Sequence, residues 1–149
     1  MTRIGIAILS ICTMLFIIAF STGCNDDCDN DCDNVLVFEQ SSLPSSIIPD
    51  NDIAGVEDVI VADVTNTVNS VSVDVVSSHH RWGDLKITLE SPSGSKTTLK
   101  ALDSSGELVS QTYSADAFFW TNASGAWVIK VTDEVPVETG TLYEWTRRI

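Results

Sequence analysis

"SSHHRWGDLKITLESPSG", residues 77–94, decides how the chain is read. In its second half Leu85, Ile87 and Leu89 are apolar, and Lys86, Thr88 and Glu90 between them are polar. Side chains on a strand point alternately to its two faces, so this run has one dry face and one wet face. It stops at Ser91-Pro92-Ser93-Gly94, where proline second and glycine fourth suit a type I turn. The first half sets two histidines, His79 and His80, shortly before Asp84. Adjacent residues on a strand face opposite ways, so the two imidazoles are poorly placed to share one metal. The stretch reads as the corner of a β-sheet.

The same period recurs on both sides. Val71, Val73 and Val75 alternate with Ser72 and Asp74, and Trp127, Ile129 and Val131 alternate with Val128, Lys130 and Thr132. Ser104-Ser105-Gly106 and Glu138-Thr139-Gly140 supply further turn signals. No window from 45 to 149 shows helical periodicity. The pattern predicts an all-β domain, a jelly-roll-like β-sandwich of short, mainly antiparallel strands.

The 149-residue chain opens differently. Ile4 to Phe20 is apolar, broken by Gly5, Ser10 and Thr13, with Arg3 in front. That is short for a membrane span and resembles a signal peptide. Ser21-Thr22-Gly23-Cys24 resembles a bacterial lipoprotein cleavage site, which makes Cys24 the candidate lipidated residue. Ser21 departs from the aliphatic residue usual there, so ordinary signal cleavage and an uncleaved anchor stay open. The expected organisation is a signal peptide over 1–23, an acidic Cys/Asp/Asn-rich tether over 24–46 and the β domain over 47–149. The expected location is outside the cell, held to the bacterial envelope by a lipid anchor in the membrane, with secretion as the alternative.

"CNDDCDNDCDN", residues 24–34, is too polar to build a core and reads as a solvated spacer. Cys28 and Cys32 there are free to pair with each other or between chains in an oxidising compartment. A metal site on them lacks the usual four converging ligands. The whole chain carries 21 Asp and Glu against 8 Lys and Arg, a formal charge of −13. That charge argues against nucleic acid and anionic lipid surfaces as partners and suits hard cations such as calcium.

Five segments in order resemble the P domain (P/Homo B domain) of kexin- and furin-like proprotein convertases and bacterial subtilases. They are "IIPDND" at 47–52, "VNSVSVDV" at 68–75, "GDLKITLESPSG" at 83–94, "SGAWVIKVTD" at 124–133 and "TGTLYEW" at 139–145. The resemblance implies a non-catalytic β-sandwich. It would be a binding or stabilising module whose partner is a subtilisin/kexin-type serine protease domain. Two alternatives stand beside it: an accessory or separated fragment of a serine endopeptidase, and a carbohydrate- or ligand-binding sandwich. A serine protease needs nucleophile, base and orienting acid together, and no segment here resembles the subtilase motifs that supply them.

The resemblance also suggests roles for single residues. His79 falls on the family histidine and is expected partly buried and hydrogen-bonded, with His80 exposed. Gly83 is expected to allow a bend, and Asp84 to accept hydrogen bonds from loop amides. Trp127 and Trp145 are expected at the sheet interface. Bacterial members can bind calcium, which makes Asp50, Asp52, Asp133, Glu134 and Glu138 the candidate ligands.

Three positions depart from the family pattern. Arg81-Trp82 reverses an aromatic-then-polar order, and Trp120-Thr121 stands where Gly-Glu is usual. Trp82 and Trp120 are therefore candidate binding residues, dispensable for the fold; the alternative is that each fills a gap beneath a loop. Arg147 falls where an inward apolar residue is usual. Burying it unpaired is costly, so the last strand is expected to end early, or Arg147 to reach solvent or a carboxylate.

Overall fold

The alternation of residues 85–90 carries into space: Leu85, Ile87 and Leu89 are fully buried, and the polar residues between them are part-exposed. The computed structural model describes residues 37–149. Cys24, Cys28, Cys32 and the apolar N-terminal run lie outside the described residues. In chain order the strands are β1 (Glu39–Ser42), β2 (Ser46–Ile48), β3 (Asp52–Ala62), β4 (Ser72–His79), β5 (Leu85–Glu90), β6 (Lys96–Lys100), β7 (Leu108–Ser114), β8 (Gly125–Asp133) and β9 (Gly140–Arg148). Short 3-10 turns occupy Trp82–Asp84 and Asp116–Phe118.

Two sheets result. One is five-stranded in the order β1-β9-β4-β7, with β2 also paired to β9; the other is four-stranded, β3-β8-β5-β6. The strand pairings are antiparallel. The dry faces of β4 and β9 in one sheet and of β5 and β8 in the other supply one continuous core, giving a β-sandwich.

The sandwich begins earlier than residue 47. β1 lies against the end of β9, from Glu39 opposite Arg148 to Ser42 opposite Trp145. Residues 39–46, assigned to the tether from their polarity, thus belong to the five-stranded sheet. "EQSS" has no apolar alternation because an edge strand can be held by main-chain hydrogen bonds alone.

Trp127 and Trp145 are both fully buried. A buried indole must place its N–H. Trp127 Nε1 donates to the Ala123 carbonyl at 2.9 Å, and Trp145 Nε1 donates to Asp58 Oδ2 at 2.6 Å. Phe118 meets Trp127 edge-on, with ring centroids 5.2 Å apart.

Arg147 departs from all three outcomes expected of it. β9 does not end early, and Arg147 is 0% exposed. Its guanidinium lies 5.5 Å from the Trp127 ring centroid, and Nη2 donates to Gln40 Oε1. An aromatic face and a neutral amide replace the carboxylate, an arrangement that a flat, weakly hydrated guanidinium tolerates better than an ammonium would. Its Nε and Nη1 have no hydrogen-bond partner among the described residues. Desolvation lowers its pKa to about 10.

Two outcomes follow in urea unfolding. Trp127→Ala and Trp145→Ala should each lose about 3–5 kcal/mol, and a loss under about 1 kcal/mol for both would refute their core role. Arg147→Met keeps apolar contact with Trp127 and removes a poorly paired buried cation. Its stability should equal or exceed wild type; a loss above about 2 kcal/mol would show the guanidinium to be needed.

Candidate functional site

β4 runs Val73, Val75, Ser77 and His79 along its inward face, so its last side chain enters the core. His79 Nε2 lies 3.2 Å from Asp133 Oδ2, and both side chains are fully buried. His79 Nδ1 lies 2.7 Å from the Arg81 carbonyl oxygen and 3.2 Å from the Arg81 amide. Asp133 ends β8, and its Oδ1 accepts the Val135 N–H at 3.0 Å. Gly140 closes the imidazole from above: a Cβ there would sit 2.7 Å from His79 Cδ2 and 2.6 Å from the Ser78 carbonyl. The pair is a sealed clamp between β4 and β8. With both ring nitrogens engaged and no route to solvent, His79 has no substrate proton within reach. His80 faces outward, its Nδ1 3.7 Å from Glu107 Oε1.

Four of the five carboxylates considered for calcium have protein partners. Asp50 Oδ1 accepts the Val137 N–H and Asp52 Oδ1 accepts the Ala54 N–H, both at 2.8 Å. Asp133 belongs to the clamp. Glu134 Oε1 lies 3.4 Å from Lys86 Nζ. Glu138 sits in the loop before β9. Among the described residues no three His, Cys, Asp or Glu side chains converge on a point that could hold a metal ion. The five carboxylates thus do not form a single cluster of side-chain ligands.

Trp82 is not a surface residue. It is 1% exposed, and its Nε1 donates to the Tyr113 hydroxyl at 3.0 Å. Burial pushes the Tyr113 phenol above its ordinary pKa. Counting strand parity from His79 fails because β4 ends there and Trp82 opens a 3-10 turn. That turn is pinned to the loop before β7: Gly83 N–H donates to the Ser105 carbonyl at 3.0 Å, and Asp103 N–H to the Gly83 carbonyl at 2.9 Å. A Cβ on Gly83 would come within 2.5 Å of the Asp103 carbonyl, so only glycine fits.

Asp84 also differs from its expected role. Its Oδ2 is buried without a hydrogen bond and lies 4.0 Å from Arg81 Nη1. Its main-chain carbonyl, not its carboxylate, takes a loop amide, that of Glu134 at 3.2 Å.

Trp120 lies at the other end of β8, in the loop leading into Gly125, and is 75% exposed. Phe119 stands beside it, 48% exposed, with ring centroids 5.4 Å apart at 78°. Trp120 has φ +64°, the left-handed region that glycine occupies freely and tryptophan rarely does. The backbone thus keeps a shape suited to the glycine that the resemblance places here. Main-chain bonds hold it: Trp120 N–H donates to the Val68 carbonyl and Val68 N–H to the Thr121 carbonyl, both at 2.9 Å. Thr121 Oγ1 donates to the Phe118 carbonyl at 2.6 Å. Phe119 was not singled out from sequence. Phe118 ends a 3-10 turn and Phe119 and Trp120 follow it in a turn, so no period of two sorts the three into inner and outer rings; the run of three aromatics among small polar residues is the available signal.

Residues 68–149 match the proprotein convertase P-domain. A transglutaminase-activating metalloprotease of Streptomyces mobaraensis is 36% identical over 112 residues, covering 73% of this chain and 14% of that protein. Among solved structures, the serine protease of Aeromonas sobria superposes with a TM-score of 0.63 at 20% identity, over 75% of this chain and 26% of that one. The same protease in complex with its chaperone gives 0.64 at 19% identity, with the same coverage. At such identity the structures share the fold alone. This chain spans only a small part of each of these proteins. By the family match and the 36% identity, the chain belongs to the proprotein convertase P-domain family.

Proposed function

We propose that this chain is a non-catalytic P-domain module that binds and stabilises a protease catalytic domain. One observation carries the non-catalytic part of the reading: His79, the histidine of the family pattern, is buried against Asp133, where it supports the sandwich. The family match and the protease names of the relatives support the choice of partner class. Lipidation at Cys24 would hold the module at the envelope surface, with the acidic tether as its spacer.

The full chain should hydrolyse no peptide substrate. Added to a subtilase-type catalytic domain from the same organism, it should co-elute with that domain and raise its thermal midpoint by several degrees. Failure of every exported subtilase of that organism to respond would overturn the proposal. For the anchor, wild-type protein should partition into detergent with an acylated Cys24, and Cys24→Ser should release it or leave the precursor uncleaved. An unmodified N-terminus downstream of Cys24 would exclude lipidation. His79→Ala should cost about 3–5 kcal/mol, because it leaves Asp133 buried and without its partner; a change below about 1 kcal/mol would show the clamp to be dispensable.

A further inference from the structure

We propose that Phe119 and Trp120 form a stacking platform for a neutral carbohydrate, at the end of the sandwich remote from the His79–Asp133 clamp. The proposal is independent of the protease partner. Its starting point is a backbone conformation unfavourable to tryptophan, held by the hydrogen bonds from Val68 and Thr121 described above. Phe118, one residue before the pair, is buried edge-on to Trp127 and roots the loop in the core. The two rings beyond it meet edge-on and face solvent, on a main chain held by hydrogen bonds that need not be ordered on binding.

The surroundings select the ligand. Two loops zip together here, with Thr67 bridged to Asn122 and Ala123 N–H donating to the Asn66 carbonyl at 3.0 Å. Thr67, Asn69, Asp116 and Asn122 are exposed in the same two loops as the rings and offer hydroxyl, amide and carboxylate groups. Residues 63–71 and 114–126 contain no lysine or arginine.

A sugar ring has an apolar C–H face and a rim of hydroxyls. The electron-rich face of an indole attracts the first, and amides and carboxylates bond the second. An anionic glycan or a phosphate would meet carboxylates and no cation. A protein interface of ordinary size needs about 800 Å² per partner with an apolar centre, whereas Val68, Ala115, Phe118 and Ala123 in these loops are all buried. A membrane-seated surface carries basic residues around its aromatics, and these loops have none.

The test is native gel electrophoresis of the full chain through gels containing laminarin, xylan, galactomannan or hydroxyethylcellulose. Polygalacturonate and phosphatidylcholine vesicles provide the anionic and lipid arms. At least one neutral polysaccharide should retard the wild-type chain. Trp120→Gly should weaken that retardation by about tenfold or more. Its thermal midpoint should hold or rise, since glycine relaxes at φ +64°. Trp120→Tyr should keep most of the binding. The proposal is overturned if no neutral polysaccharide retards the chain, if polygalacturonate or vesicles bind in their place, or if Trp120→Gly binds as wild type. A clear fall in the Trp120→Gly midpoint would make the ring a support of the fold and would overturn it too.

Discussion

The hydrogen bond between His79 and Asp133 joins the two sheets. His79 ends β4 in the five-stranded sheet, and Asp133 ends β8 in the four-stranded one. Each needs the other, because a buried polar group without a partner costs more than its hydrogen bond returns. The bond also sets its surroundings. Gly140 has to open β9 because the imidazole leaves no room for a Cβ. The Arg81 main chain turns back onto Nδ1, which starts the corner that buries Trp82.

From that corner the interior is continuous. The Trp82 indole reaches Tyr113 on β7, and the Trp145 indole reaches Asp58 on β3. Trp127 packs between Phe118 and the Arg147 guanidinium. Each buried tryptophan gives its N–H to a polar atom, so the polar groups of the core act as positioning devices for large rings. Arg147 is the exception, a cation held by a ring and an amide.

The two ends of the sandwich therefore differ in kind. At one, His79, Asp133 and Gly140 exclude solvent from groups that resemble catalytic chemistry. At the other, Phe119 and Trp120 are presented to solvent on a loop held by several main-chain hydrogen bonds. The proposed partner binding and the proposed ligand contact thus rest on different parts of the fold.

Where a residue lies on a regular strand, its side follows from its position. Trp127, Ile129 and Val131 alternate along β8, and Val73, Val75, Ser77 and His79 share the inward face of β4. The five quoted segments carry the family pattern in the same way. Other assignments needed the tertiary structure. β1 is held by main-chain bonds to β9 and has no pattern to read. Trp82 opens one 3-10 turn, and Phe118 ends another from which Phe119 and Trp120 run on as a turn, so strand alternation does not apply to them. The carboxylates considered for calcium were grouped by composition, but main-chain amides, Lys86 and His79 pair with Asp50, Asp52, Glu134 and Asp133. Periodicity is a local property that the sequence determines by itself. The burial of Arg147, the partners of the acids and the exposure of Trp120 depend on what distant strands bring alongside, and only the tertiary structure decides them.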